Sequence, residues 1–239
     1  MTINLPEFSI GFPVRHDAPE AETGWQKVLA AIGEKHRPGL YRNGVKRGLD
    51  VVLIVLAAPV VIPIIAGLAL AVAREGGRPF YTQMRVGKGG REFRMWKLRS
   101  MVNDAEARME DYLAGHPAAR LEWDQTQKLK NDPRITRFGA FLRRSSLDEL
   151  PQLWNVLTGE MSLVGPRPML PSQQGLYPGL AYYALRPGIT GAWQTAGRNK
   201  TTFEARAEFD AAYEASVTLA GDVKILAQTI GVVVKGTGY

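Results

Sequence analysis

The sequence predicts a mostly α-helical fold with a small β-hairpin and a membrane anchor made of two helical arms around a break. Three observations support this fold class: a 23-residue apolar block at 51–73, two short strand patterns joined by a glycine-rich turn at 87–90, and helical periodicity in the segments that follow. We divide the chain into a partly disordered N-terminal extension at 1–45, a re-entrant membrane helix at 46–75 and a cytosolic domain at 76–239.

The composition of the chain excludes several classes of protein. Its 239 residues are 45% hydrophobic and 22% charged, which argues against wholesale disorder. The chain has no cysteine, so a disulfide framework and thiol catalysis are excluded. The three histidines, His16, His36 and His116, are too scattered to form the spacing of a zinc site.

The apolar block Val51–Ala73 is long enough to cross a bilayer, which takes roughly 20 residues. Pro59 and Pro63 lie inside it, and a proline costs ~3 kcal/mol in a helix interior. A break at Pro59 leaves two arms that are each too short to cross. Cations flank the block at Lys46, Arg47, Arg74 and Arg78. Cations favour the cytoplasmic side of a membrane. Both cationic flanks can lie on that side only if the segment enters and leaves the membrane by the cytoplasmic face. A spanning helix with a proline kink is the alternative.

Positive charge is concentrated next to the apolar block. Residues 46–144 carry a net charge of +8, whereas 1–45 are neutral and 145–239 carry −1. The densest part, Arg78–Arg99, has seven basic residues and one acidic residue. Anionic lipid headgroups attract such a segment by about 1 kcal/mol per cation near the surface. Nucleic acid is the rival partner and a solvated charged face is the ordinary alternative; the adjacent apolar block favours lipid.

The segments after the block carry local signals for strands and helices. Pro79–Arg85 and Phe93–Leu98 alternate or carry aromatic residues, and we predict that they form the hairpin. Val102–Leu113 has apolar residues at helical spacing. We predict further helices at Thr202–Ala215 and Asp222–Val234.

The strongest chemical signal is a pair of adjacent carboxylates, Asp148 and Glu149, shortly before Pro151. Proline is tolerated in the first turn of a helix, so we predict a helix that begins near Asp148, or at Ser146 with a distorted first turn. Ser146 and Glu149 also have the spacing of a capping box. A helix N-terminus stabilises anions, and Arg143 supplies a guanidinium group for the same phosphate oxygens. An ordinary acidic N-cap is the alternative.

Adjacent carboxylates do not suit glycoside hydrolysis, in which two carboxylates flank the scissile bond from opposite sides. One of a neighbouring pair can instead attack or bind a metal while the other moves a proton. Walker A, G-x-G-x-x-G and G-x-S-x-G motifs are absent from the sequence. Cations beside tight turns suggest a polyanionic substrate. They are Lys97, Arg99, Arg134, Arg167, Arg186 and Arg198.

From Arg42 to Tyr239 the chain resembles the bacterial sugar transferases, the monotopic polyprenyl-phosphate phosphoglycosyl transferases. The motifs that carry the resemblance are KRGLD before the apolar block, KLRSM, NDPRITRFGAFLRRSSLDELPQLWNVLTGEMSLVGPRP, and RPGITG. The chain is most similar to the exopolysaccharide-priming hexose-phosphate transferases. One departure is Ala58-Pro59 at the membrane break, where the family often has Ser-Pro.

The resemblance implies an enzyme that transfers a sugar 1-phosphate from a UDP-sugar to polyprenyl (undecaprenyl) phosphate and releases UMP. The sugar would be a hexose, glucose or galactose. Asp148 would be the nucleophile and a ligand of Mg²⁺, and Glu149 would deprotonate the acceptor. Arg143 and Arg167 would bind phosphate or nucleotide, together with Lys97, Arg99 and Arg198.

The resemblance also implies partners and a location. We expect contact with lipids of the bacterial inner membrane, with the catalytic domain on the cytoplasmic face, and no nucleic-acid partner. Self-association into a homo-oligomer is left open. A membrane-bound scaffold without turnover is the alternative function, which the intact carboxylate pair argues against.

Overall fold

The computed structural model describes residues 39–126, 129–196, 203 and 205–234. Most of the predicted extension at 1–45 therefore lies outside the described residues. The helices are α1 Lys46–Arg74, α2 Ala105–Gly115, α3 Pro117–Thr126, α4 Arg137–Ser145, α5 Gln152–Thr158, α6 Ala181–Ala184, α7 Ala192–Ala196, α8 Arg206–Ala215 and α9 Leu219–Val234. The strands are β1 Phe80–Val86, β2 Glu92–Leu98, β3 Ser162–Val164 and β4 Gly188–Thr190. The fold is mostly helical with a small hairpin, as predicted.

Helix α1 runs without interruption through Pro59 and Pro63, after a π-helical turn at Tyr41–Val45. The predicted division into two separate arms at Pro59 is therefore not seen. Each proline removes one backbone hydrogen bond. The remaining hydrogen bonds of a long apolar helix can keep the helix continuous at that position. Within the described residues, Tyr41–Arg74 is the one helical stretch long and apolar enough to cross a membrane, judged by length and composition.

Strands β1 and β2 form an antiparallel hairpin, and their bounds agree with the predicted strands within one residue. Glycine in a left-handed conformation makes the turn, since φ is 68° at Gly89 and 77° at Gly90. On β2 the side chains of Phe93 and Met95 are buried and face the rest of the domain. Lys97 lies on the same side of the strand because alternate residues share a face.

Strands β3 and β4 form a short parallel pair that the sequence analysis did not predict. Each strand has three residues, which is too short for a periodic pattern. The pairing depends on backbones that approach closely at Gly165 and Gly188. A Cβ atom added to Gly188 would overlap the amide nitrogen of Gly165.

Both ends of α1 pack against the same domain. Near its start, Asp50 is buried and its Oδ2 accepts a hydrogen bond from Ser162 Oγ at 2.7 Å. One turn later Ile54 joins a buried cluster that contains Met95 of β2. Near the end of α1, Ala69 and Val72 join a cluster with Leu98 and Leu142. Between these contacts the helix exposes large apolar side chains, which are Val55, Leu56, Val60, Ile62 and Ile64.

A buried polar network fixes the start of α1 to the C-terminal helix α9. Asp222 of α9 accepts hydrogen bonds from Tyr41, Lys46 and Tyr213, with donor–acceptor distances of 2.7, 2.5 and 2.6 Å. Asp222 is only 4% exposed, so its charge requires these partners. The network links the start of α1 directly to helix α9.

Candidate active site

The two carboxylates lie in a 3-10 turn between helices α4 and α5. Ser146 ends α4 in a left-handed conformation with φ of 55°, and Leu147–Glu149 form the turn. The α-helix itself begins only at Gln152, after Pro151 as N-cap. A helix therefore begins beside Asp148, as predicted, but its first turn is 3-10 and it does not continue as an α-helix until Gln152.

The predicted capping box does not form. The Ser146 side chain makes no capping hydrogen bond, because this residue closes the preceding helix and its left-handed backbone directs the chain into the turn. The ionic environment of Asp148 and Glu149 therefore comes from side chains of other elements rather than from the N-terminus of a long helix.

Lys97 joins the two carboxylates. Its Nζ atom lies 2.8 Å from Glu149 Oε1 and 3.7 Å from Asp148 Oδ2. The lysine reaches this position because it follows Phe93 and Met95 on the inward face of β2. Asp148 is buried, whereas the side chains of Glu149 and Lys97 keep 20% and 19% of their surface exposed.

The protonation of Asp148 is set by opposing effects. Burial raises the pKa of its carboxyl group, and the nearby charge of Glu149 raises it further. Lys97, and after it Arg143, lower the pKa by stabilising the carboxylate. The net effect is a raised pKa, and the cations of the site limit that rise.

Arg143 approaches from the Asp148 side of the pair. It lies on the last turn of α4, and its Nε donates a hydrogen bond to Ser100 Oγ at 2.8 Å. This contact needs a close approach of α4 to the end of the hairpin: a Cβ atom on Gly139 would overlap the carbonyl oxygen of Ser100. Burial lowers the pKa of the Arg143 guanidinium, and the charge of Asp148 opposes that shift.

Arg167 approaches from the Glu149 side. Its Nη2 atom lies 3.9 Å from Glu149 Oε1. The backbone around it is held by two other arginines: Arg206 Nη2 donates to the carbonyl oxygen of Arg167 at 3.0 Å, and Arg85 Nη1 donates to that of Pro168 at 3.2 Å. The proline-flanked loop thus presents a fixed guanidinium to the carboxylates.

A small cleft opens beside Glu149, and it contains residues that the sequence analysis missed. Arg85 and Gln152 line it together with Lys97 and Arg167. Arg85 pairs with Phe93 across the hairpin, so it shares the inward face of Lys97. The alternation of the two strands was the signal that could have identified Arg85.

The other predicted phosphate-binding residues are not brought to this site. Arg99 lies just past the end of β2 and turns away to the end of α1, where it donates to the carbonyl oxygens of Val72, at 3.1 Å, and of Gly76. The strand ends at Leu98, so the alternation that directs Lys97 inward no longer applies at Arg99. Arg198 lies outside the described residues.

Two further cations beside turns serve the local structure. Arg134 donates to both carboxylate oxygens of Asp132, at 2.8 and 2.6 Å. Arg186 Nε donates to the carbonyl oxygen of Gly159 at 2.8 Å. Of the cations at tight turns, Lys97 and Arg167 are therefore the ones that contact the carboxylate pair in the described part of the chain.

The donor set suits Mg²⁺ bound together with a substrate. The described residues contain no group of three or more His, Cys, Asp or Glu side chains that could enclose a metal ion. Mg²⁺ does not need such a cage, because it commonly binds one or two carboxylates, waters and substrate phosphates. Asp148 and Glu149 fit that requirement, and a cation, Lys97, already lies against them.

Together, the apolar helix α1 and the cation-lined carboxylate pair define a protein with a membrane-compatible helix and a site for anionic groups. The family model described as bacterial sugar transferase matches residues 41–236. The chain therefore belongs to the bacterial sugar transferase family.

Relatives of known name agree with this assignment. A UDP-galactose-lipid carrier transferase from Erwinia amylovora is 48% identical over 195 residues, and an undecaprenyl-phosphate galactose phosphotransferase from Salmonella typhimurium is 44% identical over 195 residues. Each match covers 81% of this chain but 41% of the relative, so the chain spans about two fifths of their length. The exopolysaccharide production protein ExoY of Rhizobium meliloti is 41% identical over 199 residues, which cover 81% of this chain and 87% of that protein.

Proposed function

We propose that the protein transfers a hexose 1-phosphate from a UDP-sugar to undecaprenyl phosphate and releases UMP, as the priming step of exopolysaccharide synthesis. The observation that carries this proposal is the pair of buried Asp148 and partly exposed Glu149, both contacted by Lys97 Nζ at 3.7 and 2.8 Å. Phosphoryl transfer depends chiefly on positioning and charge neutralisation, which carboxylates among fixed cations can supply. The names of the relatives supply the donor and acceptor classes.

In the first step, a carboxylate oxygen of Asp148 attacks the β-phosphorus of the UDP-sugar. The bond from that phosphorus to the bridging oxygen breaks, and UMP leaves with the electron pair. A sugar-phosphoryl group remains as a mixed anhydride on Asp148. Arg143, which interacts with Asp148, and Arg167, which lies 3.9 Å from Glu149, neutralise the charge on the phosphoryl oxygens.

In the second step, Glu149 takes the proton of the acceptor phosphate. The deprotonated oxygen attacks the same phosphorus, and the bond to Asp148 breaks. The products are polyprenyl diphosphate-sugar and the regenerated carboxylate. Glu149 suits this role because Lys97 and Arg167, both beside it, can hold the incoming phosphate next to the base.

We propose that Asp148, with Glu149 beside it, holds Mg²⁺ when the donor is bound. The ion would supply charge neutralisation at the diphosphate. Lys97 would then move from the carboxylates toward phosphate oxygens, because the ion replaces its charge at Asp148.

We propose that α1 is re-entrant in the inner membrane and that the domain lies on the cytoplasmic face. Ile54 and Ala69 are separated by about 22 Å along a straight helix. They join clusters that contain Met95 and Leu98 of β2, whose Cα atoms lie about 10 Å apart along a strand. This convergence supports a bent helix, and the cationic flanks of α1 support a common, cytoplasmic side for both ends.

The test of the proposed function is a single-turnover experiment with the full chain in detergent. Labelled UDP-galactose and Mg²⁺, without acceptor, should release up to one UMP per chain and leave acid-trappable label on Asp148. Asp148→Asn should abolish both signals, and Glu149→Gln should retain the label but slow its transfer to undecaprenyl phosphate. Asp124→Asn, an exposed carboxylate on α3, is the matched control. UMP that appears only with acceptor, and no trapped label, would exclude the two-step route.

A further inference from the structure

Arg85 is a partly buried cation that the proposed mechanism does not use. It lies on β1 beside the cleft, where its Nη1 donates to the carbonyl oxygen of Pro168 and its Nη2 donates to Gln83 Oε1 at 2.6 Å. Its Nε atom is buried and has no hydrogen-bond partner among the described residues. A buried polar atom without a partner carries a free-energy cost, which a ligand can relieve.

Arg85 and Arg167 form a pair of like charges on the Glu149 side of the site. Burial and the charge of Arg167 lower the pKa of Arg85 to about 10, and Glu149 opposes that shift. Among the described residues, four cations, Lys97, Arg143, Arg85 and Arg167, interact with the two carboxylates Asp148 and Glu149. The excess positive charge lies next to the cleft, where an anion would be stabilised.

The geometry of the reaction specifies which anion this is. In phosphoryl transfer the attacking and leaving oxygens lie roughly in line through phosphorus. When Asp148 attacks, the leaving phosphate of UMP lies opposite Asp148. When the sugar-phosphoryl group later leaves Asp148, the acceptor phosphate must enter from that same opposite side. One position therefore serves the leaving group of the first step and the nucleophile of the second.

We propose that Arg85 and Arg167 form one phosphate subsite, occupied first by the phosphate of UMP and then by the phosphate of the polyprenyl acceptor. The subsite adjoins Glu149, the residue that must reach the acceptor's proton. Arg167 contributes a guanidinium at 3.9 Å from Glu149, and Arg85 contributes a second guanidinium that lines the cleft and fixes the loop through Pro168. This inference rests on the two-step mechanism of the proposed function.

Two measurements on one variant test the shared subsite. Exchange of labelled UMP into UDP-galactose without acceptor reports the binding of UMP, and the rate of lipid product against undecaprenyl phosphate concentration reports the binding of acceptor. Arg85→Met should raise the half-saturating concentrations of UMP and acceptor in parallel, each by about tenfold or more, the effect of losing a hydrogen bond to a charged group. UMP should inhibit wild-type lipid transfer competitively against acceptor.

Controls separate the subsite from general damage. Arg94→Met removes an exposed arginine from the same hairpin and should leave both concentrations unchanged. Arg85→Lys keeps the charge but loses the two-pronged guanidinium, so it should give intermediate half-saturating concentrations. This variant replaces Arg85→Met in the test if a thermal unfolding assay shows that Arg85→Met does not fold. A change in one concentration without the other, or no change in either, would overturn the shared subsite while leaving the two-step reaction intact. Absence of trapped label on wild-type Asp148 would instead overturn the proposed mechanism.

Discussion

Nζ of Lys97 lies 2.8 Å from Oε1 of Glu149, at the centre of the carboxylate pair. The contact comes from a strand residue and a turn residue that are 52 positions apart in the chain. The same ammonium is 3.7 Å from Asp148 and lowers the pKa of that carboxyl group, against the effect of burial. This effect gives the site a testable response to pH.

Lys97→Met should shift the acid limb of the pH–rate profile to higher pH. The reactive form of Asp148 is the carboxylate; burial raises the pKa of this group, and Lys97 lowers it. Without the lysine the pKa rises further, so the protonated, inactive form persists to higher pH. First-turnover UMP release measured across pH reports the shift, and Lys97→Arg, which retains a charge, should shift the limb less. An unchanged acid limb in Lys97→Met would show that Lys97 does not control Asp148.

Arg143→Lys should lower turnover by roughly tenfold or more, equivalent to at least ~1.4 kcal/mol. A lysine keeps the charge but cannot donate to Ser100 and to phosphate oxygens at the same time. Ser100→Ala removes the acceptor at 2.8 Å and leaves the guanidinium, so its loss should be smaller. Steady-state rates at saturating donor distinguish the two variants. Wild-type turnover in Arg143→Lys would assign Arg143 to structure rather than to phosphate.

The sequence predicted elements whose signals are local. The hairpin was placed within one residue because strand alternation and the glycine turn at Gly89 and Gly90 lie close together in the chain. The carboxylate pair and Lys97 were identified from motifs. The prediction of a capping box was wrong because residue spacing does not specify the backbone conformation of Ser146. This residue adopts a φ of 55° and ends α4.

The features that the sequence did not predict depend on packing between distant segments. Lys97 and Arg99 are two residues apart, the spacing of side chains on one face of a strand. However, β2 ends at Leu98, so only Lys97 belongs to the strand. Arg85 became part of the cleft through its cross-strand position and its bond to Pro168. The β3–β4 pair exists because Gly165 and Gly188 let two backbones meet. No local pattern encodes the approach of Gly165 to Gly188 or the hydrogen bond from Arg85 to Pro168.

Gly139→Ala should impair the site although Gly139 is not part of it. The added Cβ would overlap the Ser100 carbonyl oxygen and separate α4 from the end of the hairpin. Arg143 would then lose its contact with Ser100, so we expect both a lower unfolding temperature and a turnover loss of at least the size of that in Ser100→Ala. Gly115→Ala is the control, since a Cβ there meets nothing within 4 Å. Wild-type turnover and stability in Gly139→Ala would contradict the close packing of α4 on Ser100.

The orientation of α1 in the membrane is accessible because the chain has no cysteine. Single cysteines replace Ala30, before the helix, and Arg91, at the exposed tip of the hairpin. A re-entrant helix places both on the cytoplasmic side, so neither should react with a membrane-impermeant thiol reagent in intact cells, and both should react after lysis.

Replacement of Pro59 and Pro63 together by leucine should straighten the apolar segment and favour spanning, because both missing backbone hydrogen bonds can then form. In that background the cysteine at 30 should become reactive from outside while the cysteine at 91 stays protected. Labelling of residue 30 in intact cells with both prolines present would mean that α1 spans the membrane.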